Sequence, residues 1–286
     1  MSYVIHGASG AQGGPLYQRL LASGKEAVAA VRDPAGFAGK PAVALDNGSV
    51  ASLVAAYRDA DGVFVHLPQV GEPGRVQHAT NIAEAIKLAK PKRVVISTNG
   101  AVVDQPGTAL QAAAESAIIV LLDGVKASGV SHAVIAPRLY LENLLLPMVI
   151  QPAMAEGVLR YPLQAGFPVS WCSHLDVADV AERLLQDMSV TGVVGVGQLP
   201  GLKGADLAAG FAEHLGRTVG FETVTPQAFG KSIEPIVGPA AAAGVADFYQ
   251  ALSQTSDNVI AEGTSAQRLL GITPRSVRQW LAESLT

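Results

Sequence analysis

YVIHGASGAQGG, running from Tyr3 to Gly14, joins a short β-prone run to a glycine-rich turn and then to a helix. Gly7, Gly10 and Gly13 stand at the spacing G-x-x-G-x-x-G, a variant of the glycine pattern that binds dinucleotides at a helix N-terminus. A tight turn off a strand needs a residue that tolerates positive φ, and a missing side chain lets a pyrophosphate approach the backbone. The free N–H groups of the following helix then face the anion. Pro15 suits a first helical turn, whose N–H would be unpaired anyway. A glycine triplet alone can be an ordinary turn, so its neighbours have to decide.

Leu16 to Ala22 carries apolar residues at helical spacing, with Gly24 placed to end the helix. Ala27 to Val31 reads as a second buried strand and closes a βαβ unit of about 30 residues. The next positions bear on the cofactor. An acidic residue about 20 positions after the glycines binds the ribose 2′-hydroxyl of NAD, whereas an arginine there meets the 2′-phosphate of NADP. Here Arg32 is followed by Asp33 and Pro34. The reading taken is NADP with Arg32 on the phosphate; the alternative leaves Arg32 as a solvated charge and gives Asp33 the NAD role.

Length and composition agree with an α/β protein. The chain has 286 residues, 49% of them hydrophobic and only 5% aromatic, so its apolar mass is Ala, Val and Leu, as expected for helices on a parallel sheet. A net charge of −4 without any basic block speaks against nucleic acid and against an electrostatic membrane anchor. No segment approaches the roughly 18 uninterrupted apolar residues of a membrane span. Cys172 is the single cysteine, which excludes an internal disulfide and a cysteine metal cluster. His78, His132 and His214 lack convergent carboxylate or cysteine spacing, so no metal site is expected. The expectation is a cytoplasmic protein acting on a small molecule, as a monomer or homodimer.

The alternation continues along the chain. Pro41 to Asp46 and Gly62 to Leu67 read as strands, Ser49 as the cap of a helix over Val50 to Tyr57, and Arg75 to Ala89 as a helix after a loop at Glu72 to Gly74. Arg93 to Thr98 is the next strand, Leu110 to Ser128 a long helix stopped by Gly129, and His132 to Pro137 another strand. Ligands of open α/β sheets lie outside the carboxyl ends of the strands. Asp46 and Asn47, then His66, Leu67 and Pro68, then Ser97 to Gly100 should therefore converge beside the glycine turn. Residues 1–138 are expected to form a Rossmann-type, doubly wound parallel sheet, with later strand contributions from 168–197. Residues 139–286 read mainly as a smaller α/β substrate lobe, with a helix opened by Asp176, an alanine-rich helix over Gly238 to Ser253, and a last helix begun by Thr273-Pro274.

With these elements in place the chain resembles the NmrA-like family, an atypical branch of the short-chain dehydrogenase/reductases. The resemblance rests on the turn from Gly7 to Gly13, V-R-D-P after the second strand, A-D-G-V-F-V-H-L-P around the fourth, A-P-R-L-Y-L-E-N from Ala136, L-D-V-A-D-V-A from Leu175, and H-L-G-R at His214. It implies an NADP-preferring Rossmann domain, a smaller C-terminal lobe and a substrate cleft between them. Members include quinone reductases, isoflavone-reductase-type enzymes and triphenylmethane reductases, while others bind NADP without turnover and regulate a partner protein.

Cofactor contacts are thus expected from Gly7, Ser9, Gly10, Ala11, Gln12 and Gly13, from Arg32, Asp46 and Asn47, and from Leu67, Pro68 and Asn99. The proton relay is less clear, because the Tyr-x-x-x-Lys pair of short-chain dehydrogenases is missing: between Gly100 and Val130 there is no tyrosine, and Lys126 is the only lysine. His66, Ser97, Thr98 and Tyr140 are the catalytic candidates. Asn143, Phe167, Trp171 and His174 are the substrate-side candidates. Each has an ordinary structural role beside the functional one: a backbone-bonded loop histidine, a helix cap, a core aromatic. His6, inside the first strand, reads as a buried, hydrogen-bonded histidine. Two functions follow: an NADPH-dependent oxidoreductase reducing a small hydrophobic acceptor such as a quinone or conjugated carbonyl, or an NADP-sensing regulator without turnover.

Overall fold

Apolar runs of four to six residues, buried on both faces and separated by helices, satisfy their backbone polar groups in a parallel sheet covered on both sides. The computed structural model of the chain, which describes residues 2–285, is built in this way. Its elements up to the sixth strand are β1 (Ser2–His6), α1 (Gly13–Ala22), β2 (Glu26–Val31), β3 (Ala42–Ala44), α2 (Val50–Tyr57), β4 (Gly62–His66), α3 (Glu72–Ala89), β5 (Val94–Ser97), α4 (Ala117–Ser128) and β6 (His132–Pro137). There follow β7 (Leu139–Tyr140), α5 (Pro147–Ala155), β8 (Val158–Tyr161), β9 (Trp171–Cys172), α6 (His174–Gln186) and β10 (Gly192–Val196). The chain ends with α7 (Gly204–Leu215), β11 (Gly220–Thr223), α8 (Pro226–Val237), α9 (Pro239–Leu252), α10 (Ala266–Leu270) and α11 (Val277–Ser284).

The chain divides into two compact units. The first holds the residues up to Pro137 together with His174–Gly195 and Gly263–Ile272; the second holds Arg138–Ser173, Val196–Glu262 and the residues from Thr273 onward. The first unit is a Rossmann-type α/β sheet of seven strands in the order β10-β6-β5-β4-β1-β2-β3. β1 pairs in parallel with β2 on one side, Tyr3 opposite Ala27, and with β4 on the other, Tyr3 opposite Gly62. The strand order reverses between β1 and β4, where such sheets open a crevice at their carboxyl edge. Val4, Val63, Val65, Val94 and Ile96 share one core with residues of α2, α3 and α4, such as Leu53, Ile82 and Leu121. α1 and α6 lie against each other and the sheet, and α6 contacts β4, β5 and β6.

The second unit contains two short parallel ribbons, β8 with β11 and β7 with β9, and its own helices. Tyr161, Trp171, Phe229 and Tyr249 form an aromatic cluster with ring centroids 5.4–5.7 Å apart.

Several boundaries differ from the sequence reading. The helix expected over Leu110 to Ser128 starts only at Ala117, because Gln111 bridges to Val102 and the first helical N–H, of Ala117, is taken by Glu72 Oε1 at 2.8 Å. α3 begins at Glu72 rather than Arg75, with Pro73 in its first turn. The strand expected over Pro41 to Asp46 spans Ala42–Ala44, since Asp46 is drawn into a turn. Asp176 lies inside the first turn of α6 and is buried, so it does not open that helix. The last helix is capped by Ser276, whose Oγ accepts from Gln279 N–H while the Gln279 side chain accepts from Ser276 N–H, and not by Thr273-Pro274.

Arg93 is the largest polar group sealed in the first unit, with no exposed surface. Its guanidinium donates to the carbonyls of Leu184 at 2.9 Å, Asp187 at 3.3 Å and Val190, and to Ser131 Oγ at 2.9 Å. It thereby closes the carboxyl end of α6 against the sheet. Arg93→Met removes these donors at once, and urea denaturation should show a loss of about 3 kcal/mol or more. A loss below about 1 kcal/mol would show that water or a repacked chain satisfies those carbonyls equally well.

Candidate functional site

The site begins where β1 runs out. Gly7 takes φ 59°, its N–H donates to Ala30 O at 3.0 Å, and its own carbonyl accepts from Gly10 N–H at 2.8 Å. α1 then starts at Gly13, almost on top of this turn. A Cβ at Gly13 would stand 2.4 Å from Gly7 O and 2.5 Å from His6 O, so any side chain there pushes the helix off the strand end. Gln12 turns inward and donates from Nε2 to Asn99 Oδ1 at 2.7 Å, which ties the helix start to the turn after β5.

Beside this turn a cleft of about 750 Å³ opens, formed entirely by the first unit. The volume lies within the roughly 300–1,000 Å³ of small-molecule sites. Gly7, Ser9, Arg32, Asp46, Asn47, His66 and Pro68 all line it, as do His6, Asp33 and His78. Gly10, Ala11, Gln12, Gly13, Leu67 and Asn99 belong to the same turns but do not line the wall; Gln12, Gly13 and Leu67 are buried. His78 and Val70 are wall residues that sequence reasoning missed. The signal was Pro73: a helix begun at Glu72 brings His78 into its second turn, near the carboxyl edge.

The remaining candidates lie elsewhere. Ser97 ends β5 and Thr98 follows it, each about 1% exposed. Ser97 Oγ accepts from Asn99 N–H at 3.3 Å, while Thr98 Oγ1 is buried with no hydrogen-bond partner among the described residues. His174 opens α6 in the first unit and acts electrostatically on His66. Tyr140, Asn143, Phe167 and Trp171 belong to the second unit. There Tyr140 is half-buried, the Asn143 side chain bonds to Tyr161, and Phe167 and Trp171 are buried.

Charge in the cleft is uneven. Arg32 is exposed at the end of β2 and has no ion-pair partner among the described residues. Asp33 is engaged, its Oδ1 accepting from Ala35 N–H at 2.9 Å to cap the short helix Pro34–Phe37. Asp46 Oδ1 likewise accepts from Gly48 N–H at 2.8 Å. His66, His174 and His6 are neutral at pH 7. Burial, then the neighbouring His174 and Arg75, hold His66 below its usual range; burial takes His174 to about 4; burial and His66 take His6 to about 3. Among the described residues no group of three or more His, Cys, Asp or Glu side chains is placed to hold a metal ion, and no helix is long and apolar enough to cross a membrane.

The sequence profile of the NmrA-like family matches residues 3–266. The chain belongs to the NmrA-like family. Solved structures agree in fold. An NADPH-dependent quinone oxidoreductase from Escherichia coli, complexed with NADPH, is similar at 20% identity over 100% of both chains with a TM-score of 0.79. The Citrobacter sp. triphenylmethane reductase complexed with NADP(H) is similar at 16% identity over 99% of this chain and 100% of its own, TM-score 0.80. A nucleoside-diphosphate-sugar epimerase from Staphylococcus aureus is similar at 18% identity over 98% and 99%, TM-score 0.78. No curated protein sequence matches the chain. Identities this low carry the Rossmann-like architecture of this NmrA-like chain and nothing finer.

Two outcomes follow. Gly13→Ala should lower stability by about 1–3 kcal/mol in a urea melt, because the added carbon has no room beside two carbonyl oxygens; an unchanged midpoint would contradict the close approach. His6, His66 and His174 bind protons more weakly in the folded chain than at the ordinary pKa of about 6.5. Their stabilising effect is therefore complete above about pH 6.5 and is lost as the pH falls toward 4. Unfolding free energy should decline over that window, and less steeply in His174→Gln; equal slopes would remove His174 from the account.

Proposed function

We propose that the chain is an NADPH-dependent oxidoreductase that passes a hydride to a small, hydrophobic, conjugated acceptor such as a quinone. The observation that carries the cofactor half is the contrast at the end of β2: Arg32 stands in the cleft without an ion partner among the described residues, while the Asp33 carboxylate caps a turn. The site also has the form a dinucleotide needs. The turn at Gly7 carries no side chain, and the absent Cβ at Gly13 lets the positive end of α1 sit at the carboxyl edge of the sheet. On this reading the pyrophosphate is held by the turn from Gly7 to Gly13, the 2′-phosphate by Arg32, and the adenosine by Asp46 and Asn47.

When bound, NADPH supplies the hydride chemistry. The residues of the chain hold and orient. His66, at the cleft wall and neutral at pH 7, orients the acceptor without delivering a full proton. No tyrosine follows β5 before Val130 to act as a strong proton donor. That favours acceptors whose reduced form takes its proton from water. Tyr140, Asn143, Phe167 and Trp171 of the second unit are the proposed acceptor-side residues. The acceptor class is taken by analogy from the quinone and triphenylmethane reductases that share the fold.

Arg32→Ala should raise the Kd for NADPH roughly 10- to 100-fold, the worth of one charge-assisted phosphate contact, and leave NADH nearly unchanged. Equal effects on both cofactors would remove Arg32 from the phosphate. Turnover is tested by following NADPH absorbance with a panel of quinones, enones and triphenylmethane dyes. Oxidation with at least one acceptor is expected; tight NADPH binding with no oxidation by any would replace this reading with an NADP-sensing role.

A further inference from the structure

His6 is not an interchangeable filler at the end of β1. The residue is 2% exposed and still lines the cleft, immediately before Gly7. Its Nε2 lies 2.6 Å from the hydroxyl of Tyr57, which comes from α2 and has no exposed surface, and the two rings stand 5.5 Å apart. Both groups are uncharged at neutral pH, since burial pushes the phenol well above and the imidazole well below their usual ranges. The remaining titratable neighbour acting on His6 is His66, from β4.

The direction of the Tyr57–His6 bond follows from what each partner has left. If Nε2 carried the hydrogen and donated to Tyr57, the phenol hydrogen would be sealed in the core with no acceptor among the described residues. If the phenol donates instead, both Tyr57 and Nε2 are satisfied. A neutral imidazole carries one hydrogen, which must then sit on Nδ1. No described residue bonds Nδ1 of His6. The chain therefore holds a neutral N–H donor of fixed tautomer at the cleft wall, beside the turn proposed to carry a pyrophosphate.

We infer that His6 is a cofactor-contacting residue whose Nδ1–H donates to an acceptor atom of the bound dinucleotide, with Tyr57 as the positioning residue that fixes its tautomer. This rests on the NADPH reading above. The chemistry required of the ligand is an acceptor, such as a phosphate or ribose oxygen or an adenine ring nitrogen. A neutral donor adds direction without adding charge, so Arg32 keeps the task of reading the 2′-phosphate.

Two substitutions separate this role from a structural one. Glutamine reaches as far as Nε2, so His6→Gln keeps a partner for Tyr57 and deletes the donor at Nδ1; asparagine places its amide near Nδ1, so His6→Asn does the reverse. NADPH binding, followed by fluorescence, should weaken at least 10-fold in His6→Gln and less than 3-fold in His6→Asn, although the asparagine variant melts at the lower temperature. The opposite order in binding would make His6 structural and overturn the inference. Repeating the titration with 2′,5′-ADP locates the acceptor: a shared loss places it in the adenosine half, a loss confined to NADPH places it toward the pyrophosphate. Nitrogen NMR of the wild-type histidines gives an independent readout, expected to show His6 as the Nδ1–H tautomer with a signal that moves on adding NADPH. An Nε2–H tautomer, or an unmoved signal, would overturn the inference. If the wild-type chain fails to bind NADPH, the cofactor reading falls and takes this inference with it; if it binds and His6→Gln binds equally well, only this inference falls.

Discussion

The first unit depends on a contact that leaves no room for a side chain. α1 begins so close to the end of β1 that a single carbon at Gly13 would overlap the carbonyl oxygens of His6 and Gly7. That approach brings the positive end of the helix to the sheet's carboxyl edge, at the point where the strand order reverses between β1 and β4. Gln12 then bonds to Asn99 and Gly7 to Ala30, so the turn is braced from β5 and β2 at once. The cleft is the space this bracing leaves, and its walls are the ends of strands already held in register by the core beneath them.

Positive charge in the cleft is concentrated at one place, which is what the proposed cofactor reading requires. His6 and His66 are kept neutral by burial, so they lend hydrogen-bonding groups without a general attraction for anions. Arg32 stands apart from them, exposed and unpaired among the described residues, while both neighbouring carboxylates, Asp33 and Asp46, are turned to local backbone N–H groups. One exposed cation, beside two carboxylates already engaged by backbone N–H groups, suits a ligand whose extra phosphate lies at one defined place. A site lined by several charged histidines would bind many anions and distinguish them poorly.

How much of this was legible from the sequence depended on distance along the chain. The strand, glycine turn and helix from Tyr3 to Ala22 are contiguous, so local rules sufficed for them and for placing Arg32 beside the cleft one βαβ unit later. The alternation of apolar runs was likewise enough for the sheet. Residues 110–116 were misread because Q-A-A-A-E favours a helix locally, whereas the Gln111 bridge to Val102 and the Glu72 carboxylate at Ala117 start the helix later. The last helix was misplaced by choosing the Thr273-Pro274 pair over the reciprocal Ser276 and Gln279 cap. The His6 to Tyr57 bond joins residues 51 apart, and nothing in either local sequence announces it. Engagement of Asp33 is local, but whether its carboxylate faces a turn or a ligand is decided by backbone geometry that residue order alone does not express.

The central claim is that the cleft beside the Gly7 to Gly13 turn is the seat of NADPH. Amide hydrogen exchange with and without NADPH tests it most directly, because it reports where protection falls as well as whether binding occurs. Slowed exchange is expected in peptides covering residues 7–14, 32–33 and 46–47, with the rest of the first unit little changed. Saturating NADPH that leaves those three segments unprotected, or that protects only segments of the second unit, would contradict it.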